Sequence, residues 1–141
     1  MVLLIIMIKI FSKTEPNKLL HIIFKSIEGI GREQLVDSSE YLQIASLNLK
    51  KGETFMAHKH LWKRLPNNNT IAQESWVVLK GKIEVTFYDT NGFLLQSEIL
   101  GAGDVSVTLY GGHSYKILED SIAFEFKSGP YLGKDLDKEF I

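Results

Sequence analysis

The chain is written in short stretches of period-two alternation, cut at close intervals by glycine. Ile83, Val85 and Phe87 alternate with Glu84, Thr86 and Tyr88. Val105, Val107 and Leu109 alternate with Ser106 and Thr108, and Ile122, Phe124 and Phe126 with Ala123 and Glu125. Successive strand side chains point to opposite faces, whereas a helical stripe needs apolar residues three and four apart. The pattern therefore predicts strands. Gly52, Gly81, Gly101, Gly103 and Gly111-Gly112 break the runs, and Asp89-Thr90-Asn91-Gly92 carries an Asn-Gly pair that favours a hairpin turn. Many short strands joined by glycine turns predict an all-β antiparallel sandwich or barrel. At 141 residues, 45% of them hydrophobic, the chain has material for one packed core, and a single domain over residues 1–141 is expected.

Two segments fit the pattern less well. Asn17–Ile27 suits a strand or a short amphipathic helix, with the strand preferred. Leu61–Thr70 contains Pro66 and three asparagines and reads as a long loop. Met1–Ile8 is apolar but shorter than the roughly 20 residues of a membrane span. Its first charge, Lys9, follows the run, and no small-residue cleavage site is present. An edge strand is expected there, with Leu3–Ile8 a pairing site, or else a true start at Met7. Neither a membrane nor nucleic acid is an expected partner, because 16 Lys and Arg against 17 Asp and Glu leave no basic footprint. The absence of cysteine removes thiol catalysis and disulfides and fits a cytoplasmic location.

The chemistry is concentrated in histidine. His58 and His60 are two apart, so on a strand both rings project from one face about 7 Å apart. Glu74 begins the run Glu74–Leu79 and shares a face with Trp76 and Val78, which puts a carboxylate in an apolar row. Such a carboxylate is costly unless paired or ligating a metal. His113 follows the Gly111-Gly112 turn. Three imidazoles and a carboxylate suit a divalent first-row metal. On spacing alone, a solvated His pair, a turn histidine and a surface carboxylate fit equally well. His21 lies outside the pattern, and Asp135–Glu139 reads as a solvated face.

Gly52, five residues, His58-Lys59-His60, then Glu74, six residues and Gly81 resembles the first signature motif of the cupin superfamily. Gly103-Asp104 through Gly111-Gly112-His113 is similar to the second. The resemblance spans about residues 40–128, with N-terminal strands in 1–39 and a C-terminal extension in 129–141. Two departures stand out: the long interval from His60 to Glu74, and Leu109-Tyr110 where a proline is common. The segments around Glu74, His113 and Gly129-Pro130 look like a subgroup of small bacterial cupins, some associated with polysaccharide biosynthesis.

The resemblance implies a single jelly-roll barrel, likeness to homodimeric proteins, and a metal (Fe, Mn, Ni or Zn) held by His58, His60, Glu74 and His113. Met56 and Trp76 are expected to face inward beside them as an apolar wall for a small-molecule ligand. Lys63 and Arg64 are candidates to receive an anionic group, and Tyr115 is the candidate general acid/base. The implied function is a metal-dependent enzyme, of isomerase or dioxygenase type, acting on a sugar derivative or small organic acid. A non-catalytic ligand sensor and a metal-free nucleotide-sugar isomerase or epimerase remain as alternatives.

Overall fold

The computed structural model describes residues 7–25 and 31–141. The strands, in chain order, are β1 (Met7–Phe11), β2 (Leu19–Phe24), β3 (Gly31–Gln34), β4 (Leu42–Leu49), β5 (Thr54–His60), β6 (Trp62–Arg64), β7 (Asn69–Ile71), β8 (Glu74–Lys80), β9 (Ile83–Tyr88), β10 (Leu94–Leu100), β11 (Val105–Thr108), β12 (Gly112–Ile117), β13 (Ser121–Ser128) and β14 (Lys138–Phe140). One helical turn, α1 (Lys134–Asp137), precedes β14.

Two five-stranded antiparallel sheets face each other, ordered β10-β9-β12-β5-β14 and β11-β8-β13-β4-β3. This is the jelly-roll architecture. β1 and β2 form a separate hairpin, which settles Leu19–Phe24 as strand. Most of Leu3–Ile8 lies outside the described residues; Met7 and Ile8 open β1 and pair with Phe24 and Ile23 of β2. Among the described residues no helix is long and apolar enough to cross a membrane.

The turns follow the glycines. Asp89 accepts the amide of Gly92 at the β9–β10 hairpin, where Gly92 has φ +89°. At Gly81, φ is +91° and a Cβ would collide with the Asp120 carbonyl and Ser121, so both conformation and space demand glycine.

Hydrophobic burial occupies one end of the space between the sheets, where Leu47, Leu49, Val78, Ile83, Val85, Ile117 and Ala123 are at most 2% exposed. The inward rows change character along their length. Glu74 gives way to Trp76 and then Val78 on β8, and His113 to Tyr115 and then Ile117 on β12. Aliphatic residues fill one end, aromatic residues the middle, and ionisable residues the other end.

The segment Leu61–Thr70 is a hairpin rather than an irregular loop. β6 and β7 pair in register, and the Leu65 amide bonds the Asn68 carbonyl across the turn. The C-terminal residues also differ from a solvated face. β14 adds to the edge at β5, pairing Lys138 with His60 and Phe140 with His58, and Asp137 is completely buried.

Candidate metal centre

His58, His60, Glu74 and His113 meet at the ionisable end of the barrel, all at most 7% exposed. One donor atom from each lies within 4.8 Å of the others. β5 and β12 are neighbours in one sheet and carry the three imidazoles; β8 faces them from the other sheet with Glu74.

The three rings stand nearly perpendicular to one another, with interplanar angles of 81–84°. His58 Nδ1 faces the Met56 carbonyl at 2.8 Å, and His113 Nδ1 lies 2.7 Å from Thr108 Oγ1. Their Nε2 atoms are 3.2 Å apart, and His113 Nε2 is 2.8 Å from Glu74 Oε2. His60 Nε2 lies 3.7 Å from Glu74 Oε1. Both ring nitrogens of His60 are buried without a hydrogen-bond partner among the described residues.

Donor atoms about 2.1 Å from an octahedral ion stand about 3 Å apart when cis and about 4.2 Å when trans. The separations of 2.8, 3.2 and 3.7 Å fall close to that range, and the unsatisfied His60 nitrogen is costly without an acceptor or an ion. The residues therefore fit a divalent metal.

The electrostatics agree. Burial lowers the His58 pKa to about 4, against the raising effect of the Met56 carbonyl, so the ring is neutral at pH 7. Burial pushes the Glu74 carboxyl up, but the His113 hydrogen bond and the charges of His113, His60 and Lys127 outweigh it. Glu74 stays below the usual carboxylate range. For His58 and Glu74 these are the ligating forms, a neutral imidazole and an ionised carboxylate.

Met56 does not face the site. Between the pairs His113–His58 and Tyr115–Phe55, β5 has one residue more than β12. This bulge shifts the alternation, so Phe55 turns inward and Met56 is 67% exposed. Replacing Met56 with Ser is accordingly expected to change stability by no more than about 0.5 kcal/mol, the surface value. Phe55→Ser should cost several times more, as read by urea denaturation.

Trp76 and Tyr115 are both inward, stacked with centroids 3.8 Å apart, and Phe55 meets Trp76 edge-on at 5.3 Å. The Tyr115 hydroxyl donates to Glu74 Oε2 at 3.4 Å. Burial, followed by the charges of Glu74 and Glu125, raises its pKa well above 10, so it stays a phenol. Arg64 is exposed on β6. Lys63 is buried, its Nζ 3.1 Å from Asp137 Oδ1 and 3.1 Å from the Pro130 carbonyl. Neither lines the cavity that opens onto the four donors.

That cavity measures about 510 Å³, and several of its lining residues carry no motif. Arg32 on β3 makes a bidentate pair with Glu125 on β13, at 2.8 and 2.7 Å. Lys127 lies 3.1 Å from Asp137, and Lys138 also lines the wall. Glu125 had a signal in the sequence, since it alternates with Phe124 and Phe126. In β13 it is the apolar row that faces outward.

No family model and no curated protein matches the chain. Solved structures do. A cupin superfamily protein from Desulfitobacterium hafniense is similar at 16% identity and TM-score 0.54, covering 75% of this chain and 83% of its own. CapF, solved with the inhibitor 3-isopropenyl-tropolone, has 16% identity and TM-score 0.63 over 78% of this chain and 31% of CapF. Oxalate decarboxylase from Bacillus subtilis, described for its Mn(II) centres, has 22% identity and TM-score 0.53 over 73% of this chain and 25% of the enzyme. The chain thus spans about a third or less of the latter two.

Proposed function

Starting from a chain with the fold of the cupin superfamily, we propose that it is a metal-dependent enzyme whose substrate is a small organic acid bound through its carboxylate. The observation that carries this reading is the convergence of four buried donor atoms beneath a cavity of about 510 Å³. Fe, Mn, Ni and Zn all suit mixed imidazole and carboxylate ligands. When bound, such an ion supplies Lewis-acid polarisation of a substrate oxygen.

Charge selects the substrate class. Arg32 is neutralised by Glu125, and Asp137 by Lys63 and Lys127. Among the described residues the Lys138 ammonium makes no hydrogen bond or ion pair. Burial, followed by the charge of Lys127, lowers its pKa against the raising effect of Glu74, Asp137 and Glu125. With a divalent cation against the single charge of Glu74, the wall holds surplus positive charge. An anion fits there better than a neutral sugar.

In this reading Lys138 anchors the carboxylate. Trp76 forms the apolar floor of the cavity beneath the ligand. Tyr115 keeps its proton and donates a hydrogen bond to Glu74, orienting that carboxylate. The aromatic layer keeps water from the apolar side.

Lys138→Met is expected to weaken binding of small carboxylates about 10- to 100-fold, given about 1.5–3 kcal/mol for a hydrogen bond to a charged group. Calorimetric titration of the metal-loaded protein with glucuronate, and with glucose as the uncharged control, reads this. Equal affinity for both sugars, unaffected at Lys138, contradicts the assignment. Turnover of a panel of organic acids then divides enzyme from binding module: tight binding without turnover would make the chain a ligand sensor.

The proposal includes a homodimer. In β11 and β13 the apolar row faces outward: Val105 and Val107 are 52% and 57% exposed, while Ser106 and Thr108 are buried. Val77, Phe124 and Phe126 continue this face, since Val77 pairs with both Val105 and Phe124. An apolar outer sheet face of this kind marks an interface. Val105→Glu with Val107→Glu is expected to convert a dimer to a monomer in light scattering; a monomeric wild type at high micromolar concentration contradicts it.

A further inference from the structure

Each ligating imidazole must carry its proton on Nδ1 if Nε2 is to offer a lone pair to a metal. His58 has the Met56 carbonyl as acceptor for that proton, and His113 has the Thr108 hydroxyl. His60 has neither. Its Nδ1 faces one group, the Asp137 carboxylate, with Oδ2 at 3.5 Å and no hydrogen bond made.

Asp137 is the least solvent-exposed carboxylate of the described residues, at 0%, and three parts of the chain combine to hold it. Its main-chain carbonyl accepts from the Leu61 amide at 2.9 Å, next to His60, and its own amide bonds the Gly133 carbonyl at 3.1 Å. Lys63, from the β6–β7 hairpin, and Lys127, from β13, each approach a carboxylate oxygen to 3.1 Å. Burying an aspartate and two lysines is a costly way to stabilise a fold, because desolvation offsets much of the attraction. The cluster also accounts for two otherwise unexplained segments, the inserted hairpin that brings Lys63 and the C-terminal turn that brings Asp137.

We infer that Asp137 is a positioning residue for the metal site: it accepts the Nδ1–H of His60, fixing the tautomer that presents Nε2 beside Glu74, with Lys63 and Lys127 holding the carboxylate in place. The inference rests on the metal-site reading. Carboxylate partners of ligating histidines commonly set metal affinity by about 10- to 100-fold.

The test compares wild type, Lys63→Met, Asp137→Asn with Lys63→Met, and Asp137→Leu with Lys63→Met. Each double variant removes one buried charge of each sign, which protects folding. The His60 tautomer is read by nitrogen NMR on metal-free protein, and the Zn²⁺ dissociation constant by competition with a chelator. Wild type is expected to show the Nδ1–H tautomer. Lys63→Met, whose Asp137 keeps the Lys127 pair, is expected to retain that tautomer with a smaller loss of Zn²⁺ affinity than either double variant, and is the reference for both.

The Asn double variant keeps a neutral acceptor and is expected to lose about tenfold in affinity. The Leu double variant is expected to lose the single tautomer and about 100-fold. If the Leu variant does not fold, the Asn variant decides. Unchanged tautomer and affinity in the folded double variants overturn the inference. If wild type binds no Zn²⁺, the metal reading fails, while the tautomer comparison still decides the role of Asp137.

Discussion

Glu74→Gln is expected to weaken divalent-metal binding by more than about 100-fold, beyond the range found for residues that merely support a ligand. The substitution keeps the shape and the Tyr115 contact but removes the charge. In the wild type that carboxylate faces three imidazoles, with His113 Nε2 at 2.8 Å and His60 Nε2 at 3.7 Å. Neutral nitrogens alone leave a divalent ion's charge uncompensated in a buried site, where the missing counter-charge is most costly. Chelator competition measures the affinity, with thermal unfolding of metal-free protein as the control for folding. An affinity within tenfold of wild type would show that Glu74 is not a ligand.

The second large effect is on stability. Trp76→Ala is expected to cost about 3–5 kcal/mol, as for other fully buried aromatic residues. Trp76 is 1% exposed and sits at the centre of the aromatic layer, stacked on Tyr115 with an interplanar angle of 6° and met edge-on by Phe55. Its loss opens a cavity between the aliphatic core and the ionisable end. A domain of this size has only about 5–15 kcal/mol to lose, so the urea midpoint should fall substantially. The variant should also bind metal more weakly, because Tyr115 loses the surface that aims its hydroxyl at Glu74. A cost below about 1 kcal/mol would mean that the layer is not packed as described.

The strand character of the chain and its glycine turns were legible because they depend on local rules: period two, positive φ, and the Asn-Gly hairpin. The spacing of His58, His60 and Glu74 drew attention to them but fitted solvated residues equally well. It was the resemblance to the cupin motifs that joined them with His113 as one set of donors. What the sequence hid was phase and long-range closure. A single bulge in β5 exchanged the roles of Phe55 and Met56, and alternation counted along the chain cannot see an extra residue until its partner strand is known.

In β11 and β13 the apolar rows face outward and Ser106, Thr108 and Glu125 face in, the reverse of the hydrophobic-inside rule. A cavity that must hold polar groups and an outer face that is itself apolar invert the expected pattern together. Asp137 was the least visible residue. It lies in an acidic, lysine-rich stretch that resembles a solvated tail, and only the pairing of β14 with β5 carries it beside His60. Lys63 looked like a free cation for the same reason, its partner Asp137 lying at the far end of the chain.

Metal content of the protein purified without a histidine tag or chelators tests the central claim most directly. Elemental analysis of wild type is expected to give about one divalent metal ion per chain, as a site built from one set of four ligands requires. The His58→Ala, Glu74→Ala double variant, purified identically, should contain essentially none. A wild type that carries no metal and takes up none on addition of Mn²⁺, Fe²⁺, Ni²⁺ or Zn²⁺ would contradict the account, as would a double variant that retains the full complement.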